Sequence, residues 1–246
     1  LQHILSSFGI KTYLLYHAFN KNILENISNN IDKDIDVLFT GSLYTGYGFH
    51  NERIEYLEEM IKENIPIHIY GNIESAKKQF FKKMFFYVFK IAHLFYLAKA
   101  IECIPFIKKY KDFSKEPIKK YSRNLKKNIH PPLFGTEMLK SISQSKITFN
   151  IHGGIAGDSA GNIRLFEATG LGSCLVTDWK KNMSDLFIPD EEVVVYSNST
   201  ECISKIKWLL NNPNEYQRIA ENGKKKTLLN HTIEKRSEEL YLILQN

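Results

Sequence analysis

Apolar runs of β-prone residues alternate with stretches of helical spacing along most of the chain, and this alternation restricts the possible folds most strongly. Residues 37–40 (VLFT), 50–64 and 67–70 (IHIY) predict a strand, a helix and a second strand in that order. This is a βαβ unit, and the same pattern resumes at Pro131. The sequence therefore predicts an α/β fold, with helices on both faces of a parallel sheet.

The spacing of apolar residues sets the bounds of the predicted elements. Strands are predicted at 12–16, 37–40, 67–70, 147–151, 174–177 and 193–196. Helices are predicted at 50–64, 75–104, 136–145, 162–170, 183–187, 200–211, 213–222 and 232–244. Ligands of such sheets bind beyond the carboxyl ends of the strands, which selects the loops 41–49, 71–76, 152–162 and 177–182.

Two of these loops are rich in glycine. The loop GSLYTGYGF after the first strand has three glycines near a helix N-terminus, where backbone N–H groups and the helix dipole favour a phosphate. An ordinary turn is the alternative. The loop 152–162 has four glycines and ends at Asn162, a candidate N-cap. On the helix that follows, Arg164 and Glu167 share one face, either as a surface ion pair or as ligands of a diphosphate and a ribose.

Three further polar residues lie at the same predicted edge. His152 ends a buried strand, as a substrate contact or as a hydrogen-bonded core histidine. Asp158 lies in the glycine-rich loop, where a turn residue is the alternative to a site residue. Asp178 follows the strand 174–177 and is interpreted as a cap of the next turn.

The positive charge of the chain is concentrated in one segment. The 246 residues are 43% hydrophobic, which excludes wholesale disorder, and carry a net charge of +6. Residues 77–127 hold 14 Lys and 1 Arg against only three acidic residues, so the remainder is acidic. A basic surface for nucleic acid over the whole protein is therefore excluded.

The same segment is rich in Phe and Tyr and is predicted to be helical up to a break at Pro105. One interpretation is helices packed on the sheet, with lysines reaching to water. A second is a lid or surface that meets an anionic membrane or a lipid-diphosphate acceptor. Binding of nucleic acid by this segment is a third, although no RNA-binding motif is present.

The cysteines and the hydropathy pattern bear on location. Cys103, Cys174 and Cys202 have neither zinc-ligand spacing nor a disulfide pattern, which favours a reducing compartment. No signal peptide and no apolar run of membrane-spanning length is present. We therefore expect a cytoplasmic location, with the inner face of the membrane as a possible site of contact.

The run NIRLFEATGLGSCLVTD resembles the donor-binding region of bacterial group 1 glycosyltransferases, and in particular their spore-maturation-protein-like branch. DVLFTGSLY and HNER are similar to the first strand and the H-x-x-R helix of that family. HPPLFGTEMLKSISQSKITFNIH is similar to the segment that leads to its central strand, and residues 219–244 to its closing helices. The resemblance covers residues 36–71 and 130–244.

The resemblance implies the C-terminal, Rossmann-like domain of a GT-B fold, with a helical basic insertion. Residues 1–35 are then a remnant of an N-terminal domain and linker, 36–246 the nucleotide-sugar-binding domain, and 72–130 its insertion. The chain alone is too short for both halves of such an enzyme. It is therefore expected to bind a nucleotide more readily than to turn over substrate.

The resemblance also implies roles for single residues. Glu167 matches the ribose-binding acid, and His152 with the loop to Asp158 matches the sugar-side wall, where we place the catalytic residues. A second family glutamate is replaced by Ser159. The donor-binding set implied in this way is Gly41, Ser42, Arg53, Gly71, Gly161, Asn162, Ile163, Arg164 and Glu167. GT-B enzymes generally need no metal, because helix dipoles and basic groups stabilise the leaving diphosphate.

The expected function is binding of a nucleoside diphosphate sugar for transfer to a hydroxyl of a cell-surface glycan or lipid-linked acceptor. No other cofactor and no metal are expected, and the expected partners are the donor, the acceptor and a peripheral membrane contact, without nucleic acid. The alternative is a non-catalytic module that docks on a membrane or a partner through residues 77–127.

Overall fold

Six parallel strands form one sheet in the computed structural model, which describes residues 2–27, 32–46, 51–97, 117–153 and 157–245. The strand order is β3-β2-β1-β4-β5-β6. The strands are Ile35–Thr40 (β1), Ile67–Tyr70 (β2), Ile129–His130 (β3), Ser145–Asn150 (β4), Cys174–Asp178 (β5) and Val194–Tyr196 (β6). The predicted Rossmann-like parallel α/β sheet is confirmed.

Helices surround this sheet, and most of their predicted positions are confirmed. In chain order they are Gln2–Ser7 (α1), Ile23–Asn26 (α2), Asn51–Lys62 (α3), Ala76–Leu94 (α4), Arg123–Asn128 (α5), Gly135–Ser143 (α6), Ile163–Gly170 (α7), Met183–Leu186 (α8), Ser199–Asn211 (α9), Pro213–Asn230 (α10) and Ile233–Leu244 (α11). None of these described helices is both long enough and apolar enough to cross a membrane.

The core lies on both faces of the sheet, which explains the uninterrupted apolar run in β1. Val37 and Phe39 belong to one cluster of buried side chains and Leu38 to the other, because successive side chains of a strand point to opposite faces. Val37 and Leu38 are fully buried. A strand that is covered on both faces needs no alternating polar residues.

Three predicted elements differ from the structure. Residues 12–16 form no strand, since Tyr13, Leu14 and Leu15 are all more than 40% exposed and no strand pairs with them. The strand β3 was missed because two residues give no periodicity. The predicted end of a helix at residue 222 is wrong, because α10 continues for two more turns.

The basic insertion begins with one long helix. Ser75 is the N-cap of α4 and accepts a hydrogen bond from the backbone N–H of Lys78 (3.3 Å). The helix ends at Leu94, and the chain turns at Tyr96, which has a positive φ of 58°. The predicted helical residues 98–104 and the break at Pro105 lie outside the described residues.

The segment before β1 packs against the C-terminal helices. Phe19 is 1% exposed, its backbone N–H donates to the carbonyl oxygen of His231 (2.8 Å), and its own carbonyl oxygen accepts from Ile233 (3.0 Å). A Cβ on Gly170 would lie 2.6 Å from the Phe19 ring, so only glycine allows this close packing on α7. This contact brings residues near Tyr16 to the loop that precedes α7.

Candidate functional site

The sheet has a topological switch point between the adjacent strands β1 and β4. From β1 the chain crosses to β2 on one side, and from β4 to β5 on the other. Ligands of open α/β sheets bind in the crevice at the carboxyl ends of such a strand pair. Thr40 ends β1 and Asn150 ends β4, so the crevice is bordered by the loops that follow them.

Unpaired buried polar atoms are concentrated at this crevice. Within the described ranges, three buried side-chain atoms lack a hydrogen-bond partner: Thr40 Oγ1, His152 Nε2 and Asn162 Oδ1. The first belongs to the last residue of β1, the second lies two residues beyond β4, and the third belongs to a side chain that is hydrogen-bonded to Asn150. Buried polar atoms are normally paired, so such a group of exceptions marks a place where a ligand supplies the partners.

Arg53 joins the two loops of the crevice. Its Nε and Nη2 both donate to the carbonyl oxygen of Ile151 (3.1 and 2.9 Å), and its Nη1 donates to that of Ser42 (3.3 Å). Burial lowers the pKa of Arg53, and the nearby charge of Asp178 acts against this shift. These donors of Arg53 and the carbonyl of Ser42 are engaged with each other's loops, so Arg53 positions the loops that follow β1 and β4.

His152 is held by Asp178 at the end of the neighbouring strand. One oxygen of Asp178, Oδ1, accepts from the backbone N–H of His152 (2.9 Å) and lies 2.7 Å from its ring Nδ1. Burial would raise the pKa of Asp178, but these contacts with His152 and the charge of Lys180 hold it below its usual value. The imidazole is 1% exposed, and its other nitrogen, Nε2, is the unpaired atom at the crevice.

A chain of buried hydrogen bonds supports this arrangement. The Asn162 side-chain amide donates to Asn150 Oδ1 (3.0 Å), and Asn150 Nδ2 donates to Thr177 Oγ1 (2.9 Å). The Thr177 hydroxyl in turn contacts Asp178 Oδ1 (3.3 Å). Asn162 does occupy the predicted N-cap position, but its side chain makes no capping hydrogen bond because its amide is directed to β4.

Arg164 and Glu167 form an ion pair on the first turns of α7. Arg164 Nη1 lies 2.7 Å from Glu167 Oε2, and Arg164 Nη2 lies 3.2 Å from the sulfur of Met138. The side chains are only 15% and 13% exposed, so this is not an ordinary surface pair. Burial lowers the pKa of Arg164, and the charge of Glu167 opposes that shift. Since no side chain caps α7, its first N–H groups and Arg164 together suit an anion.

The glycines of the candidate site permit close contact between loops. A Cβ on Gly71 would lie 2.3 Å from the carbonyl oxygen of Gly41, which no side chain tolerates. A Cβ on Gly161 would lie 3.3 Å from the ring of Tyr16. The structure therefore brings Gly41 and Gly71 together at the crevice and places Gly161 against the N-terminal segment.

Asp158 is separate from the buried groups of the site. Its side chain is 72% exposed and pairs with Lys181, with 2.6 Å between Oδ2 and Nζ. This ion pair lowers the pKa of Asp158. Its catalytic role stays a prediction, as do the roles assigned to the buried residues. Ile163, the first residue of α7, has a half-exposed side chain, and only its backbone N–H is oriented by the helix.

Sequence reasoning missed the role of Asp178, which binds His152 and does not cap the next turn. It also missed Asn150, Thr177 and Lys180, whose Nζ lies 3.2 Å from Asp178 Oδ2. One signal was available: polar residues end the buried strands 147–151 and 174–177, on the edge where His152 lies. Among the described residues, no group of three metal-ligating side chains was found.

Fold and site together define a parallel α/β domain with a basic, partly unsatisfied crevice at its switch point. The chain belongs to the family described as glycosyl transferase-like, whose sequence pattern matches residues 53–241. The predicted membership among group 1 (GT-B) glycosyltransferases is confirmed at this level. Among curated protein sequences there is no significant match.

Solved structures of the same fold include three with low sequence identity. Sucrose-phosphate synthase from Thermosynechococcus elongatus has a TM-score of 0.58 and 11% identity, over 99% of this chain and 55% of that one. TarM from S. aureus, in complex with fondaparinux, alpha-GlcNAc-glycerol and UDP, has 0.59 and 14%, over 99% and 42%. HepE from Anabaena, in complex with UDP and glucose, has 0.60 and 10%, over 99% and 60%. The chain thus spans about half the length of these structures.

Proposed function

We propose that this chain is the donor-binding domain of a glycosyltransferase and binds a nucleoside diphosphate sugar at the crevice between β1 and β4. One observation carries the proposal: the three unpaired buried atoms, of Thr40, His152 and Asn162, lie at this crevice beside the buried guanidinium of Arg164. Unpaired hydrogen-bonding groups next to a partly buried cation suit a ligand that is both polar and anionic. The UDP complexes of TarM and HepE support this choice of ligand class.

Each group of the site has a proposed role. Glu167 accepts the ribose hydroxyls through Oε1, because Arg164 already holds Oε2. Arg164 and the first N–H groups of α7 bind the diphosphate. His152 contacts the sugar through Nε2, and Asp178 positions its ring by fixing Nδ1. His152 and Asp158 remain the proposed catalytic residues.

The proposed reaction is a displacement at the anomeric carbon of the donor sugar. An acceptor hydroxyl oxygen forms the new bond, and the bond from that carbon to the diphosphate oxygen breaks. The leaving diphosphate keeps the electron pair, and the hydroxyl proton passes to a base. Positive groups that are already fixed beside the diphosphate stabilise its developing charge, so the proposal includes no metal and no further cofactor.

The finer assignments rest on sequence resemblance. We propose the spore-maturation-protein-like branch, a donor domain over residues 36–246 with an insertion at 72–130, and a glycan or lipid-linked acceptor for polysaccharide biosynthesis in a bacterial cytoplasm. A non-catalytic module that docks through residues 77–127 is the second candidate function. The exposed apolar side chains of α4 favour it.

Calorimetric titration with UDP and with GDP tests the donor site. We expect Glu167→Ala to weaken binding by roughly 10- to 100-fold, since hydrogen bonds to a charged group contribute about 1.5–3 kcal/mol. Glu167→Gln keeps an acceptor of similar shape and should weaken binding less. Absence of nucleotide binding by the unmodified chain, with folding verified by circular dichroism, would contradict the proposal.

The chain offers a matched control for this experiment. Lys235 and Glu238 on α11 form an ion pair with the same spacing and the same distance of 2.7 Å, but both side chains are exposed. Glu238→Ala should leave nucleotide affinity unchanged. Equal losses in Glu238→Ala and Glu167→Ala would show that the measurement reports general destabilisation.

A further inference from the structure

The exposed face of α4 carries a continuous apolar stripe. Its members follow the repeating spacing of four and three residues that keeps side chains on one helix face. They are between 39% and 73% exposed: Phe80, Met84, Tyr87, Ile91 and Leu94. At the end of the helix, Phe95, Tyr96 and Leu97 extend the exposed apolar surface. The opposite face is buried through Phe85, Phe89 and Ala92.

Lysines border this stripe, and no acidic residue accompanies them. At 100° per residue, Lys83 and Lys90 lie along one border of the stripe and Lys77 along the other. The helix contains no Asp or Glu. An apolar face with aromatic side chains and lysine borders matches the surface of an anionic bilayer, where the apolar groups enter the acyl boundary and the lysines meet lipid phosphates.

We propose that α4 is a membrane-docking helix that lies in the surface of an anionic bilayer through this stripe. With 19 residues it is about 28 Å long and would lie in the bilayer surface. Docking of a second copy on the same stripe would bring lysine borders together without acidic partners, which disfavours self-association. The aromatic side chains suit the level of the lipid headgroups, where Tyr and Trp collect.

A buried ion pair connects α4 to the candidate donor site. Lys82 pairs with Glu74 in the loop after β2, and its Nζ donates to the carbonyl oxygen of Thr45 in the loop after β1 (2.5 Å). The Thr45 hydroxyl donates to Glu74 (2.7 Å). A bilayer bound to α4 is thereby tied to the loops at the carboxyl edge of the sheet. Resting on the proposed donor function, this connection favours an acceptor that is anchored in the membrane.

Co-sedimentation with vesicles of phosphatidylcholine, with and without phosphatidylglycerol, tests the docking face. A stripe variant has Phe80→Gln, Tyr87→Gln and Ile91→Gln, and a lysine variant has Lys77→Gln, Lys83→Gln and Lys90→Gln. Glutamine is a good helix former, so both variants should keep α4. We expect the unmodified chain to bind only the anionic vesicles, and more weakly at high salt.

Each variant has a control with the same substitutions elsewhere. The apolar control changes exposed side chains of α10 and α11: Leu229→Gln, Leu240→Gln and Tyr241→Gln. The charge control changes exposed lysines: Lys62→Gln, Lys140→Gln and Lys225→Gln. We expect at least roughly 100-fold weaker partitioning for the stripe variant. A loss of roughly 100-fold is expected for the lysine variant, at about five-fold per lysine, with little change in either control.

Three results would overturn the proposal. These are equal binding to neutral vesicles, unchanged binding by the stripe variant, and self-association that the stripe substitutions abolish without any vesicle binding. Titration of the stripe variant with UDP separates this proposal from the donor function. Unaltered UDP binding with lost vesicle binding supports both, whereas vesicle binding without UDP binding contradicts only the donor function.

Discussion

His231 shows how its surroundings set the charge of one buried side chain. Its ring lies against Phe166 and Phe187, with centroids 5.2 Å from each. Nε2 lies 2.9 Å from the carbonyl oxygen of Leu186, and Nδ1 lies 2.8 Å from Nη2 of Arg236. Burial and the neighbouring guanidinium lower the pKa of His231 from 6.5 to about 4. The neutral ring then accepts from Arg236 and donates to Leu186.

This shift predicts a loss of stability in acid. The unfolded histidine binds a proton more readily than the folded one, so the contribution is complete above about pH 6.5 and is lost as the pH falls toward 4. Between pH 7 and 5 the free energy of unfolding should fall by about 2 kcal/mol from this group. Urea denaturation of the unmodified chain and of His231→Gln measures it. Equal acid losses in the two proteins would contradict the assignment.

At this scale the sequence predicted the right positions more often than the right contacts. His152, Arg164 and Glu167 lie at the expected sheet edge, because strand order fixes which loops meet. The donors of Arg53 bind loop carbonyls, and Asp178 binds His152. Side-chain direction at a loop depends on backbone angles that no periodic pattern encodes, so these partners could not be predicted.

Among the elements, α4 depends on one buried ion pair for its position. Lys82 and Glu74 have side chains that are 5% and 1% exposed, and both contact Thr45. A buried charge that loses its partner is costly, because the remaining ion is neither hydrated nor paired. The pair therefore stabilises the docked position of α4 more than any exposed lysine of the helix does.

We expect Lys82→Met to lower the free energy of unfolding by about 3–5 kcal/mol, since Glu74 would be left unpaired. Lys78 provides the control, since its Nζ lies 3.6 Å from the same carboxylate but its side chain is 61% exposed. Lys78→Met should cost less than about 1 kcal/mol. Chemical denaturation compares the two, and similar losses would show that burial is not the deciding factor.

Elements with long, regular patterns were predictable, and short or unpaired ones were not. The strands β1, β2, β4, β5 and β6 were found because each has apolar residues buried on both sheet faces. Residues 12–16 are as β-prone as these strands, yet no neighbour pairs with them. Strand formation needs a partner, and local composition does not report one.

For the whole molecule, the decisive contact joins the beginning and the end of the described chain. Phe19 is buried with α7 on one side and is hydrogen-bonded on both sides of its peptide to residues before α11. This contact holds the segment before β1 on the domain. It was not predictable, because residues more than 200 positions apart share no sequence pattern.

Phe19→Ala should lower the free energy of unfolding by about 3–5 kcal/mol, the usual cost of removing a buried aromatic ring. Leu14→Ala in the same segment is the control, since Leu14 is 57% exposed. It should change the free energy by no more than about 0.5 kcal/mol. Limited proteolysis gives a second readout, and cleavage before β1 should become faster only in Phe19→Ala.

The link through Tyr16 has a consequence for the order of folding. Its hydroxyl accepts from Asn182 (2.9 Å), whose side chain binds both the N–H and the carbonyl of Ala160 in the loop before α7 (2.6 and 2.9 Å). Contacts between distant parts of a chain generally form late. We therefore expect the parallel sheet to assemble first and this loop to reach its final shape last, when the N-terminal segment docks. Nucleotide-binding competence would then signal completed folding.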